Sequence, residues 1–317
     1  MIGGRMKDKI VVTGGAGFIG GHVVDSWIEA GADVHIIDNL RSGHQANVDR
    51  FADVNFHKIS ITDRDAVFTA MAGARYVLHL AAMISVPESV EDPQECLQIN
   101  VNGLLNVLDA ARHHGIEKIV HSSSAAVYGD NPASPKTVNM RPMPKSPYGI
   151  TKLDGEYYLQ MYNEAFGLGT ASLRYFNVFG PGQDPGSQYA AAIPVFVSNA
   201  LKNEPLTIHG DGHQTRDFVF VKDVAHANFL AATMPDATGV YNVARGESIS
   251  IGEIAKLVIS QTDSRSQLEF APERPGDIKH SLASIDETRN DLGFEPRYNL
   301  IDGLKQTIDY FVRIFQG

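Results

Sequence analysis

Residues 9–20 read KIVVTGGAGFIG, and this stretch decides the fold. The β-branched run at residues 10–13 is typical of a buried parallel strand. Three glycines at three-residue spacing follow it, and an apolar pattern of helical spacing begins among them. Glycine lets the backbone N–H groups at a helix N-terminus approach a pyrophosphate, so the pattern predicts a dinucleotide-binding turn, although three glycines alone could form a mere tight turn. The glycines are Gly14, Gly17 and Gly20.

The next predicted strand, residues 33–37, ends in Asp38. An acidic residue about 20 residues after the glycine turn is where dinucleotide-binding folds hold a ribose 2′-hydroxyl. A carboxylate there repels a 2′-phosphate, so Asp38 favours NAD over NADP. Arg41 follows closely and could weaken that preference, because a guanidinium attracts phosphate.

Strands and helices alternate through the first half of the chain. Such repeated units predict an α/β fold with a doubly wound parallel sheet of the Rossmann type, which binds ligands at the carboxyl ends of its strands. Gly14, Asp38, Ala81 and Ser122 all fall at such ends. Strands are predicted at residues 10–13, 33–37, 54–59, 75–80, 116–122 and 169–175, and helices at 18–28, 63–71, 93–113 and 148–166.

The pattern changes after Tyr175, where shorter elements suggest a smaller α+β substrate-binding domain made from separated segments. We expect the NAD-binding domain to comprise residues 1–176 plus about 212–245, and the substrate domain about 177–211 plus 246–317. Helices are predicted at residues 190–202, 223–234, 250–259 and 301–315, and strands at 206–209, 217–221 and 239–242.

Composition excludes several classes of function. The 317 residues carry a formal net charge of −10, which argues against a nucleic-acid partner. No apolar run approaches the ~20 residues of a membrane span. Cys96 is the single cysteine and the first nine residues lack a secretory signal, so a cytoplasmic location and a buried structural thiol are expected. The 12 histidines show no metal-ligand spacing, so no metal site is predicted.

Candidate catalytic residues open the helix predicted at residues 148–166. Tyr148 and Lys152 are four residues apart and so share one helix face. A tyrosine that acts as a base near pH 7 needs its pKa lowered by ~3 units, and a neighbouring ammonium can supply part of that shift. A surface pair would be the default interpretation of these two residues. The serines at residues 122–124 lie at the end of a strand beside the expected cofactor, and they favour a catalytic role for Tyr148 and Lys152 instead.

Four motifs in register give the chain a specific resemblance. They are GGAGFIG at 14–20, SSSAAVYG at 122–129, YGITK at 148–152 and RYFNVFGP at 174–181. In this combination the chain resembles an extended short-chain dehydrogenase/reductase of the nucleotide-sugar 4-epimerase branch, over essentially its whole length. The resemblance implies that Tyr148 is the catalytic base, that Lys152 binds the nicotinamide ribose and that Ser124 assists at the sugar 4-hydroxyl.

The residues after Ser124 favour epimerisation within that branch. Dehydratases and decarboxylases of similar sequence carry Thr and an acidic residue before Val-Tyr-Gly, whereas this chain has Ala125 and Ala126 after Ser124. Without the extra acid, dehydration lacks a proton donor. The resemblance then implies reversible oxidation at sugar C4 with tightly held NAD, through a transient 4-keto sugar that presents its other face before reduction.

The resemblance also implies the residues that bind cofactor and substrate. Asn177, Arg216 and Arg274 would hold the diphosphate, and Thr207 and His209 would line the uracil pocket. Ser60 stands where relatives have an aspartate for the adenine amino group, so adenine contacts could be looser. The implied cofactor-binding residues are Gly14, Gly17, Phe18, Ile19, Gly20, Asp38, Asn39, Ser60, Ile61, Ala81, Ala82, Asn100, Ser122, Tyr148, Lys152 and Tyr175. The implied substrate-binding residues are Ser124, Tyr148, Asn177, Ala192, Thr207, His209, Arg216, Arg274, Asp277 and Ser281.

Two features bear on the sugar. Residues 183–185 and 189–194 resemble epimerases that prefer N-acetylated UDP-hexosamines, and Ser281 falls where strict UDP-galactose 4-epimerases carry a tyrosine. The sequence therefore favours UDP-GlcNAc/UDP-GalNAc, with UDP-Glc/UDP-Gal second. A UDP-glucuronate 4-epimerase or another UDP-sugar-modifying enzyme stays open, although no arginine follows Gly180 to meet a 6-carboxylate. A non-catalytic NAD-binding sensor is a remoter alternative. Relatives commonly pair through two long helices, so we expect a homodimer through residues 93–113 and 148–166.

Overall fold

The computed structural model describes residues 7–186, 191–273 and 279–316. Four residues used in the sequence predictions, Tyr189, Ala190, Arg274 and Asp277, lie outside these ranges. Within the described residues, no helix is long and apolar enough to cross a membrane.

The strands and helices alternate as the sequence predicts. The strands are β1 (Lys9–Thr13), β2 (Asp33–Ile37), β3 (Val54–His57), β4 (Tyr76–His79), β5 (Lys118–Ser124), β6 (Gly169–Tyr175), β7 (Asn177–Phe179), β8 (Leu206–His209), β9 (Thr215–Arg216), β10 (Phe218–Phe220), β11 (Gly239–Val243), β12 (Ile249–Ser250) and β13 (Leu268–Ala271). The helices are α1 (Phe18–Glu29), α2 (Gln45–Asp49), α3 (Arg64–Met71), α4 (Val86–Glu91), α5 (Pro93–Leu97), α6 (Gly103–His114), α7 (Pro147–Phe166), α8 (Ala192–Leu201), α9 (Val221–Thr233), α10 (Ile251–Gln261), α11 (Asp286–Leu292) and α12 (Leu300–Gln316).

The central sheet has seven strands in the order β11-β6-β5-β4-β1-β2-β3, all parallel, in the described part of the chain. Successive side chains of a strand point to opposite faces, and both faces of this sheet are covered. Val11 is buried in one apolar cluster, while its neighbours Ile10 and Val12 are buried in the cluster on the other face. The predicted doubly wound fold is confirmed.

A third apolar cluster lies in the smaller body. It joins α8, α10 and α12 and includes Phe196, Ile254 and Leu304. Phe218 and Phe220 belong to it too, although the sequence places them in the NAD-binding domain. The division into two domains stays a prediction, with the β7–β10 pair bordering both.

Several predicted boundaries differ from the structure. β5 runs on to Ser124 because the three serines continue to pair with β6. The predicted helix at residues 93–113 contains a π turn at Gln98–Asn102 and ends at His114. The strand predicted from Asp217 starts one residue later, at Phe218, and the Asp217 carboxylate accepts hydrogen bonds from the backbone N–H groups of Arg245 and Gly246.

Candidate active site

The glycine turn between β1 and α1 leaves no room for a side chain at Gly14 or Gly20. Gly14 has φ +74° and its N–H donates to the carbonyl of Ile37 at 2.8 Å. A Cβ on Gly14 would lie 2.7 Å from the backbone nitrogen of Ala81, and one on Gly20 would lie 2.0 Å from the Gly14 carbonyl oxygen. The helix N-terminus therefore reaches the carboxyl edge of the sheet with its backbone exposed, as a pyrophosphate requires.

A cavity of about 510 Å³ runs along this edge of the sheet. Every predicted cofactor-binding residue except Asn100 lines it. The cavity extends from Asp38, Ser60 and Ile61 at one end to Tyr148 and Lys152 at the other. The cavity has a glycine turn for a pyrophosphate, an acidic residue where a ribose would lie, and enough length for two nucleotides. These features fit a dinucleotide such as NAD.

Asp38 lies at the predicted ribose position. Its carboxylate accepts hydrogen bonds from the N–H groups of Ala16 at 3.1 Å and Leu40 at 2.8 Å. Burial raises the pKa of Asp38, and these two hydrogen bonds oppose the rise. The carboxylate thus ties the glycine turn to the end of β2.

Asn100 is buried in the π turn rather than on the cavity wall. Its side chain accepts a hydrogen bond from the N–H of Met83 at 2.7 Å and donates to the Met83 carbonyl and the Thr151 hydroxyl. It therefore fixes the loop after β4 against α7. A π turn inside a helix often accompanies such a specialised side chain.

Tyr148, Lys152 and Ser124 come together at the end of β5. The Ser124 hydroxyl lies close enough to the Tyr148 phenol to affect its pKa. The Lys152 ammonium donates to the backbone carbonyl of Ser122 at 2.6 Å and lies 5.8 Å from the centre of the Tyr148 ring. Because α7 begins beside the last residues of β5, residues four apart on one helix face meet the strand end, as the sequence predicts.

Burial dominates the pKa values at this site. It raises the pKa of Tyr148, against a smaller lowering by the nearby Ser124 hydroxyl, and it lowers the pKa of Lys152 to about 8. The protein alone therefore keeps the phenol neutral near pH 7. A further positive charge beside the ring is needed before Tyr148 can act as a base.

A second cavity of about 210 Å³ adjoins the first and shares Ser124, Tyr175 and Phe176 with it. The predicted substrate residues Asn177, Arg216 and Ser281 also line it. A third cavity of about 140 Å³ shares His280 with the second and is lined by His209. The three cavities follow one another from Tyr148 and Ser124 towards the smaller body.

Two predicted substrate residues lie elsewhere. Thr207 is exposed on β8, and Ala192 is half-buried at the start of α8. Neither lines any of the three cavities.

The sequence reasoning missed a buried ionic network that includes Ser123 of β5. Glu156 accepts hydrogen bonds from Ser123 at 2.5 Å and from two guanidinium nitrogens of Arg174 at 2.8 and 2.7 Å. The Arg174 guanidinium also lies 4.8 Å from the centre of the Tyr128 ring. The available signals were weak, namely Glu156 four residues after Lys152 on α7 and an arginine inside an apolar strand.

Comparison with known proteins agrees with this geometry. The model of the NAD dependent epimerase/dehydratase family matches residues 10–244. A protein named putative UDP-glucose 4-epimerase, from Methanocaldococcus jannaschii, is 38% identical over 95% of this chain and 97% of its own. A solved UDP-N-acetylglucosamine 4-epimerase from Methanobrevibacter ruminantium, in complex with UDP-N-acetylmuramic acid, is 40% identical with a TM-score of 0.93, covering 98% of this chain and 100% of that one. The Thermus thermophilus UDP-glucose 4-epimerase in complex with NAD is 36% identical with a TM-score of 0.88, covering 96% and 99%.

The chain belongs to the NAD-dependent epimerase/dehydratase family, and within it to the extended short-chain dehydrogenase/reductases of the nucleotide-sugar 4-epimerase type. The expectations of a nucleotide-sugar epimerase and of NAD as its cofactor are confirmed at this level.

Proposed function

We propose that this chain interconverts the C4 epimers of UDP-GlcNAc and UDP-GalNAc, with UDP-Glc and UDP-Gal as second substrates. The observation that carries the proposal is the position of Ser124. It lines both the dinucleotide cavity and the adjoining cavity, and its hydroxyl lies beside the Tyr148 phenol. A sugar in the second cavity therefore meets a phenol and a hydroxyl where it would also meet the cofactor.

The protein's part in the chemistry is to move one proton and hold the sugar. Tyr148 takes the proton of the 4-hydroxyl and later returns it, while Ser124 hydrogen-bonds the same oxygen. Bound NAD⁺ supplies a reversible acceptor for the C4 hydrogen and its electron pair, and its positive charge favours the phenolate. Lys152, held by the Ser122 carbonyl, adds a second positive charge as long as it is protonated.

The small residue at position 281 supports an N-acetylated sugar. Ser281 lines the second cavity together with Ser124 and Asn177, so added bulk there would project into the proposed sugar site. The solved relative from M. ruminantium holds an N-acetylated UDP-sugar.

The test is a substrate panel followed by NMR. Purified protein is incubated separately with UDP-GlcNAc, UDP-Glc and UDP-GlcA, and kcat/KM is measured for each. We expect the highest value for UDP-GlcNAc. Ser281→Tyr should lower the ratio of kcat/KM for UDP-GlcNAc to that for UDP-Glc by about 10–200-fold, since that is the range in which a pocket of altered size discriminates. Ser281→Ala, the matched control, should keep the wild-type ratio.

Other outcomes would redirect the proposal. A wild-type enzyme that epimerises only UDP-GlcA would overturn the preferred substrate and favour the glucuronate alternative. Protein that retains NAD but epimerises none of the three substrates would favour the sensor. An unchanged ratio in Ser281→Tyr would remove position 281 from the sugar site.

We also propose a homodimer through the outer face of α7. Ile150, Tyr157 and Met161 are 48%, 56% and 41% exposed, and their spacing of seven and four residues places them on one helix face. α7 packs against α4 and α5, where Val90 and Leu97 are 61% and 46% exposed. A second copy of this chain would cover this apolar patch.

Light scattering tests the dimer. We expect a dimer at micromolar concentration for wild type and a monomer for Tyr157→Glu. Phe270→Glu is the control, because Phe270 is 63% exposed on β13, outside this patch. A monomeric wild type, or a dimer that survives Tyr157→Glu, would contradict the proposed interface.

A further inference from the structure

An ionic bridge crosses the rim of the dinucleotide cavity near Asp38. The Arg41 guanidinium donates to both carboxylate oxygens of Glu95, at 2.9 Å for the Nη2–Oε2 pair, and Nη2 also donates to Glu88 at 2.7 Å. Arg41 follows β2, whereas Glu88 belongs to α4 and Glu95 to α5. The bridge therefore joins two sides of the cavity that are far apart in sequence.

The bridge lies at the end of the cavity that distinguishes NAD from NADP. Asp38, Arg41 and Glu95 all line this cavity. Among the described residues that line it, Arg41 and Lys152 are the lysine and arginine side chains, and Lys152 is engaged beside Tyr148 at the other end. Arg41 is thus the cation within the lining that could meet a 2′-phosphate.

The charges around Arg41 disfavour that encounter. The two carboxylates of Glu88 and Glu95 contact Arg41, and Asp38 lines the same cavity, so with all three acids ionised this group of four side chains carries a net charge of about −2. A 2′-phosphate would add about two more negative charges at pH 7. The guanidinium already donates three hydrogen bonds to carboxylates, and a bidentate arginine–carboxylate pair is among the stronger polar contacts.

Stability is a weak explanation for this arrangement. The side chains of Arg41, Glu88 and Glu95 are 35%, 43% and 41% exposed. Exposed ion pairs contribute only about 0–1 kcal/mol to folding. Because Glu88 and Glu95 bind Arg41 at the rim of the nucleotide cavity, the bridge has a clearer effect on which dinucleotide the cavity can bind.

We propose that Glu88 and Glu95 select NAD over NADP by holding the Arg41 guanidinium in a bridge where it is not available to a 2′-phosphate. The sequence alone suggests that Arg41 weakens the preference for NAD. The structure leads to the opposite inference, because Arg41 is committed to the two carboxylates.

A competition experiment tests the proposal without measuring epimerisation. The full chain, first made nucleotide-free, is equilibrated with an equimolar mixture of NAD⁺ and NADP⁺ and separated from unbound nucleotide by gel filtration. It is then denatured, and the released nucleotides are quantified by chromatography. We expect wild type to hold NAD. Glu88→Gln/Glu95→Gln should raise the bound NADP-to-NAD ratio about tenfold or more, the size of one or two charge-assisted hydrogen bonds.

Two further variants separate release of Arg41 from the mere loss of negative charge. Adding Arg41→Met to the double variant should remove most of the increase, and Arg41→Met alone should not raise the ratio above wild type. An unchanged ratio in the double variant, or an equal increase with and without Arg41, would overturn the proposal. Because the readout is bound nucleotide, a failed substrate assay would leave this result interpretable.

Discussion

Replacing Glu156 by Gln removes the negative charge from the buried network that Glu156 forms with Arg174 and with Ser123 of β5. The Glu156 and Arg174 side chains are only 3% and 4% exposed. In wild type the carboxylate accepts three hydrogen bonds, two of them from Arg174 and one from Ser123. In Glu156→Gln the Arg174 guanidinium stays buried without its counter-charge. The NH₂ group of the new glutamine also faces the donors of Arg174 or Ser123, which it cannot accept from.

The expected cost follows from this geometry. Removing one partner of a buried ion pair destabilises a protein by about 3–5 kcal/mol. At roughly 2 °C per kcal/mol for a large chain, the melting temperature should fall by about 6–10 °C. Since Ser123 lies between Ser122 and Ser124, kcat should fall as well.

Thermal unfolding followed by circular dichroism measures the effect. The matched control is Glu117→Gln, which breaks an ion pair between Glu117 and Arg75 whose side chains are 56% and 39% exposed. An exposed pair contributes about 0–1 kcal/mol, so the control should melt within about 2 °C of wild type.

A second variant keeps the reasoning testable if Glu156→Gln folds poorly. Glu156→Leu/Arg174→Met replaces both charges by apolar side chains, and it should be more stable than Glu156→Gln because no buried charge is left unpaired. The reasoning is refuted if Glu156→Gln melts together with the Glu117→Gln control, or if the double variant is less stable than the single one.

The remaining predictions concern the cofactor turn and the catalytic lysine. Gly20→Ala places a Cβ 2.0 Å from the Gly14 carbonyl oxygen, so the purified variant should lose its bound NAD; full NAD content by chromatography would contradict the close packing. Burial lowers the pKa of Lys152 to about 8 from 10.5, so between these pH values the unfolded chain holds more protons than the folded chain. The unfolding free energy of nucleotide-free wild type, relative to Lys152→Met, should therefore rise from pH 8 to 10.5 in urea titrations, and a constant difference would contradict the buried ammonium.

The sequence predicts the parts of the fold that depend on local pattern. β1, the glycine turn and α1 are adjacent in the chain, and each carries its own signal of strand, turn or helix. The sequence also places Tyr148 and Lys152 on one helix face, since their spacing is enough to decide it. α11 was missed because DETRNDL is polar, with only Thr288 and Leu292 buried in it.

Contacts between distant segments could not be predicted in this way. Arg41 and Glu95 are 54 residues apart, and no periodicity links the loop after β2 to α5. The π turn that carries Asn100 depends on what its amide meets, namely Met83 and Thr151, rather than on local propensity. Such contacts depend on how the elements assemble, which a single sequence does not reveal.

The proposed function requires Tyr148 to support a reversible oxidation confined to C4 of the bound sugar. The most direct measurement follows UDP-GlcNAc carrying deuterium at C4, incubated with the purified chain in ordinary water and analysed by NMR and mass spectrometry. We expect UDP-GalNAc that retains the deuterium at C4, and strongly reduced turnover in Tyr148→Phe. Product that has exchanged the deuterium for solvent hydrogen, or full turnover in Tyr148→Phe, would contradict the proposed function.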